Sequence, residues 1–131
     1  ALIEAVYRDE LNKLAAAATH LAEIHTPLEA LREWLALFVD YIGTKQLIIP
    51  ALNSLMGGTD AIYADSRTVL TAAINKLAAR ATESGDMRPE IEPTDLLYAL
   101  AGVSNYATGP GWEVRAKRLI DVLIIGSRPT K

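Results

Sequence analysis

His20, Glu23 and His25 are the one place where imidazole and carboxylate groups crowd together in this sequence, and such a set could in principle hold a divalent metal. Their position argues otherwise. The helical pattern stops at His25-Thr26-Pro27, where side chains are ordinarily solvated, so no metal site is expected. Arg115, Lys117 and Arg118 offer a basic run suited to an anion, but on an amphipathic helix such a run is usually the solvated face. The G-x-S-x-G elbow, the P-loop, the H-E-x-x-H pair and the dinucleotide glycine fingerprint are all missing. The chain has no cysteine, which excludes thiol nucleophiles, thiolate zinc sites and disulfides. No enzyme activity and no cofactor are expected.

Binding is the better case. Trp34, Phe38, Tyr41, Met56, Tyr63, Leu70, Ile74, Tyr98 and Asn105 come from four helical segments and mix large apolar bodies with a few hydroxyl or amide handles, the makeup of a small-molecule cavity. Any one aromatic at helical spacing is more often plain core. Tyr98 and Asn105 stand out because they lie seven apart, on the side of their helix opposite Leu96, Leu100 and Val103, so two polar groups are expected to face one space.

The elements that position these residues all read as helices. From Leu2 to about Glu23, Ile3, Tyr7, Leu14, Ala18 and Leu21 recur with polar residues between them, and the alanines at 15–18 keep one side thin. Thr26 is the expected N-cap of a second helix, with Pro27 at its first position and Glu29 in its first turn. Leu31, Leu35, Phe38 and Ile42 mark its core line, and it is expected to weaken at Gly43 and run toward Gln46. A short helix is expected over Ala51–Met56, then an irregular Gly57-Gly58-Thr59-Asp60 stretch suited to a mobile flap. A long helix follows from about Ile62 to Ser84, carried by Leu70, Ala73, Leu77 and Ala81 and stopped by Gly85. A Pro-punctuated link then leads to a closing hairpin of two helices, one starting near Pro93 and the other opened by Pro110 and ending at Gly126. No alternating apolar run argues for strands, so the predicted class is all-α, a bundle of about six helices.

In that hairpin Leu96, Leu100, Val103 and Ala107 form one stripe and Trp112, Ala116, Leu119 and Leu123 another, flanked by Ile120 and Ile124. Both look broader than one core face needs. Leu96, Leu97, Leu100, Val103, Trp112, Leu119, Ile120, Leu123 and Ile124 are therefore expected to form a two-fold homodimer interface, the two hairpins meeting as a four-helix bundle.

The 131 residues suit one domain spanning 1–131; half are hydrophobic and 22% charged. The formal charge of −3 lacks the basic field of an autonomous nucleic-acid binder. No apolar run is long enough to span a membrane and no signal pattern is visible, so a cytoplasmic protein without membrane contact is expected. The chain opens at Ala1, without Met and already in helical pattern, as expected if a segment precedes it.

Three stretches resemble one family, the C-terminal ligand-binding and dimerisation domain of TetR-type (tetracycline-repressor-like) transcriptional regulators. The opening ALIEAVYRDEL is similar to the helix that leaves the family's DNA-binding head. PLEALREWLALFVDY, from Pro27, is similar to its next helix. RPEIEPTDLLYAL, from Arg88, together with PGWEVRAKRLID, from Pro110, resembles its dimer-forming pair. The order is the family's and covers nearly the whole chain. The resemblance implies a bacterial regulator in which a small-molecule effector binds among the helices, the chain pairs with itself, and operator DNA is contacted only by an N-terminal helix-turn-helix head lying outside this sequence. A constitutive dimerisation module with a collapsed cavity is the alternative.

Overall fold

The computed structural model describes the backbone of residues 2–53, 60–106 and 111–129 and the side chains of residues 5–45, 66–104 and 111–129. The described residues form five helices: α1 (Leu2–Ile24), α2 (Pro27–Asn53), α3 (Asp60–Glu83), α4 (Pro93–Tyr106) and α5 (Trp112–Ser127). No strand occurs among the described residues, and none of the described helices is long and apolar enough to cross a membrane. The expected all-α class is the one that forms; of the flap expected at Gly57-Gly58-Thr59-Asp60, residues 57–59 lie outside the described residues and Asp60 begins α3.

Each helix is set by a local signal. The Ala30 N–H bonds the Thr26 carbonyl at 2.8 Å, which closes the first turn of α2 with Pro27 where no N–H is needed. At the end of α3, Gly85 takes a positive φ of 84°, the Gly85 N–H reaches the Thr82 carbonyl at 3.1 Å and the Asp86 N–H reaches the Ala81 carbonyl at 2.9 Å. This is a Schellman stop, and it needs a residue without a Cβ penalty in the left-handed region. Met87, just beyond, is buried, and the Arg88 N–H bonds the Ser127 carbonyl at 2.8 Å, pinning the link to the end of α5. The last turn of α1 has no basic residue of its own; Arg80 of α3 donates to the Ala22 carbonyl there at 3.1 Å.

α2 is the hub and packs against each of the other four helices. α1 touches α2 and α3 but, among the described residues, neither α4 nor α5. Tyr7, Leu11, Leu14 and Ala18 of α1 and Ser66, Leu70, Ile74, Leu77 and Ala81 of α3 recur at helical spacing and are buried. α2 and α5 run antiparallel. Arg32 gives Nε and Nη2 to the same Asp121 oxygen, at 2.9 and 2.7 Å, and Lys117 meets Asp40 at 2.9 Å. Hydrogen bonding to Asp121, reinforced by its charge, raises the Arg32 pKa above its usual value.

Two expectations are corrected here. Gly43 and Pro50 do not divide residues 27–53 into two helices, because α2 runs unbroken from Pro27 to Asn53. Pro50 stands within a turn of that end, where it forfeits a single i→i−4 bond. Gly43 has a packing reason: a Cβ there would sit 3.3 Å from the Glu113 carboxylate of α5. The second correction concerns the hairpin. Leu96, Leu97, Leu100, Trp112, Ile120 and Ile124 are buried in the chain's own core, and Val103, Leu119 and Leu123 pack partly buried against it. The premise that these side chains would otherwise form an open apolar patch therefore does not hold. The core stripe of α5 is Trp112, Ala116, Ile120 and Ile124, one position round from the expected one. What remains outward is a different apolar face, Tyr98 on α4 and Val114, Val122 and Ile125 on α5.

Leu100 is fully buried between α4 and its neighbours. Leu100→Ala is expected to lower stability by about 2–5 kcal/mol, the range for a buried leucine that leaves a cavity, read as a reduced urea midpoint with an unchanged slope.

Candidate ligand-binding site

The face of α2 turned toward α1 and α3 is an aromatic column. Trp34, Phe38 and Tyr41 follow at i, i+4 and i+7, which places them one above another on a helix. Trp34 and Phe38 stack with centroids 6.0 Å apart and planes 10° from parallel, and Phe38 and Tyr41 with centroids 6.4 Å apart at 23°. Tyr7 of α1 joins Tyr41 at 6.1 Å in a tilted arrangement of 57°. Such offset pairs add about 0.5–1.5 kcal/mol each beyond burial.

Both polar ends of the column are held. The Trp34 indole Nε1–H donates to the Leu14 carbonyl of α1 at 3.0 Å. A helical carbonyl keeps a second lone pair for such a donor. At the other end the Tyr41 hydroxyl lies 3.1 Å from the Ser66 hydroxyl of α3, either group being able to donate. Both contacts are buried, where an unmatched polar group would be costly.

Beside the column a cleft of about 430 Å³ opens among α2, α3 and α4. Phe38, Tyr41, Ile42, Leu70 and Ala101 provide its apolar walls, Ser66 its second hydroxyl, and Lys45 and Arg67 its cationic groups. The volume falls in the range of ligand clefts, about 300–1,000 Å³. An apolar body with one or two polar atoms can be held there by burial and by the hydroxyls.

The residues expected from sequence divide into four groups. Phe38, Tyr41 and Leu70 line this cleft. Trp34 and Ile74 are fully buried core behind it. The side chains of Met56, Tyr63 and Asn105 lie outside the described residues. Tyr98 is a correction: it is 71% exposed and is not among the residues that line the cleft. Burial of Leu96, Leu97 and Leu100 fixes the rotation of α4, and at 100° per residue Tyr98 points roughly 150° from their mean direction.

Tyr7, Ile42, Lys45, Ser66 and Arg67 were not expected at the site. Lys45 follows Tyr41 by four and Ser66 precedes Leu70 by four, so both were within reach of the helical spacing. The two histidines and Glu23 are scattered at the end of α1, His20 and Glu23 exposed and His25 half-buried. Arg115, Lys117 and Arg118 are exposed, Lys117 being the partner of Asp40.

A five-helix bundle of this order is the architecture of a transcriptional regulator's C-terminal part. The chain is similar to the solved TetR transcriptional regulator SCO0520 from Streptomyces coelicolor, with 36% identity and a TM-score of 0.89, over 99% of this chain and 74% of that chain. Residues 26–129 match the family described as "Transcriptional regulator SbtR-like, C-terminal domain". No curated protein sequence matches the chain. The chain belongs to the TetR-type transcriptional regulators, as an SbtR-like C-terminal domain.

Trp34→Phe keeps an aromatic ring in the column but strips the donor from the Leu14 carbonyl. An expected loss of about 0.5–1.5 kcal/mol for the hydrogen bond, with a further packing term for the smaller ring, is measurable by chemical denaturation. Tyr41→Phe is expected to cost about 1 kcal/mol through the Ser66 hydroxyl it leaves behind, and Tyr41→Phe combined with Ser66→Ala less than the sum of the two.

Proposed function

We propose that this chain senses a small-molecule effector and pairs with a second copy of itself, and that through these two properties it controls operator binding by an N-terminal helix-turn-helix head of a longer, cytoplasmic protein. The observation that carries the sensing half is the cleft beside Phe38 and Tyr41, walled by apolar side chains and equipped with the Tyr41 and Ser66 hydroxyls. Membership of a regulator family supports a sensing role over catalysis, as does the lack of a credible acid–base pair. That the matched regulator extends beyond the aligned part supports a longer parent carrying the DNA-binding head.

The column offers a route from effector to head. A molecule wedged against Phe38 and Tyr41 bears on the rings that hold α1, Tyr7 by ring contact and Trp34 by its bond to the Leu14 carbonyl. α1 is the first element of this chain and, in the proposed parent, continues toward the head. The effector then acts by binding one arrangement of α1 better than the other; a difference of about 1–3 kcal/mol shifts operator affinity by about 5–150-fold.

For the dimer, the outward face of the hairpin is the surface used. Val122 and Ile125 are 64% and 65% exposed, with Tyr98 on the adjoining helix. Each aliphatic side chain fully covered there contributes about 1.5–3 kcal/mol before the cost of association. Val122→Glu and Ile125→Glu are expected to give a helical, folded monomer, because neither residue supports the core of its own chain. Sedimentation equilibrium with circular dichroism reads both properties, and a folded wild-type monomer at micromolar concentration would overturn the dimer. A thermal-shift screen of small molecules tests sensing: a saturating effector at 100 times its Kd is expected to add about 2.7 kcal/mol to stability. Dimerisation without any ligand response would instead mark a constitutive dimerisation module.

A further inference from the structure

Among the described residues, the cleft among α2, α3 and α4 differs in its charged lining from the three other large clefts. The sequence carries 16 acidic and 13 basic residues. The other large clefts follow that balance: one at the foot of the bundle holds Glu29 and Asp86 with Arg128, one between α1 and α2 holds Glu10 and Asp40 with Lys13, and one under the link before α4 holds Glu90, Glu92 and Asp95. Among the described residues, the cleft beside Phe38 is lined by Lys45 and Arg67 and by no carboxylate. A shallow groove on the outer side of α3 also includes Arg67, which places the guanidinium at the mouth, between cleft and solvent.

Arg67 has no ion-pair partner among the described residues, in contrast to Arg32, which is committed to Asp121. A guanidinium is permanently charged and presents a planar fork that matches a carboxylate. Exposed to water such a charge contributes little, but a ligand that covers the mouth with an apolar body removes water and strengthens the pairing. The walls set the rest of the ligand. Phe38, Ile42, Leu70 and Ala101 suit an aromatic or branched hydrocarbon, and they make burial of a second negative charge costly.

Resting on the sensing role proposed above, we infer that the effector is a small organic monoanion, a carboxylate carried on an aromatic or aliphatic body, with the charge at Arg67 and the hydrocarbon against Phe38. The hydroxyls of Tyr41 and Ser66 serve polar atoms nearer the column.

Isothermal titration calorimetry on the chain with matched probes tests this: phenylacetate, 4-phenylbutyrate and decanoate, each against its neutral amide, and 4-phenylbutylamine as the cation. At least one carboxylate is expected to bind about tenfold more tightly than its amide, which is about 1.4 kcal/mol, and the amine to bind more weakly than either. Arg67→Gln is expected to bring the carboxylate to within about twofold of the amide while leaving amide affinity unchanged, a pattern that a general loss of folding cannot produce. If amides or the amine bind as well as the carboxylates, or if Arg67→Gln weakens all probes alike, the anion preference is wrong and the sensing cleft stands. If none of the probes binds at millimolar concentration, sensing at this cleft fails and the anion inference fails with it.

Discussion

The structure depends on burying one broad face of α2 against several neighbours at once. Ala30, Leu31, Trp34, Leu35, Phe38, Val39, Tyr41 and Ile42 of α2 are all buried, and at 100° per residue they span about half of its circumference. A face that broad is not covered by one neighbour, and α1, α3, α4 and α5 each touch α2. It also needs every polar atom on it matched. Trp34 is the sharpest case, because its indole N–H is buried against α1 and is satisfied only by the Leu14 carbonyl. That one bond fixes the height of α1 against α2 and the orientation of the ring on which Phe38 stacks.

The opposite flank of α2 is arranged by contacts that give register rather than much energy. Arg32 with Asp121 and Lys117 with Asp40 are half-exposed pairs, of the kind that contribute about 0.2–1 kcal/mol each. The stability comes from Trp112, Ala116, Ile120 and Ile124 of α5, which are buried. The ion pairs and the close approach at Gly43 select one sliding position for these apolar groups, since a shift of one turn would leave Asp121 without Arg32 and press Glu113 or a larger neighbour against α2. With α5 held there, the hairpin shows Val122 and Ile125 to the outside.

Packing and proposed sensing thus share the same residues. Phe38 and Tyr41 are core when seen from α1 and cleft wall when seen from α4. A site built this way is rigid on one side, where rings stack, and adjustable on the other, where Ala101 of α4 leaves room. Rigid contact with α1 on the first side is what allows events in the cleft to reach the start of the chain.

The sequence by itself determined the class of fold and the family. Apolar residues at helical spacing, Thr26-Pro27 at a start and Gly85 at a stop are local signals, and each acts through its own few residues whatever surrounds them. It also marked Phe38, Tyr41 and Leu70 as lining a cavity. Tertiary structure alone decided how far each helix turns about its axis. A broad apolar stripe is compatible with several rotations, and only simultaneous burial of Leu96, Leu97 and Leu100 sent Tyr98 outward, just as Ile120 and Ile124 took the core positions expected of Leu119 and Leu123. The continuity of α2 through Gly43 was likewise unreadable locally, because the group beside that glycine is the Glu113 carboxylate of α5, seventy residues away in sequence. Arg67 and Lys45 entered the site for the same reason: charged residues on amphipathic helices read as solvated, and only the meeting of three helices turns such a face into the mouth of a cleft.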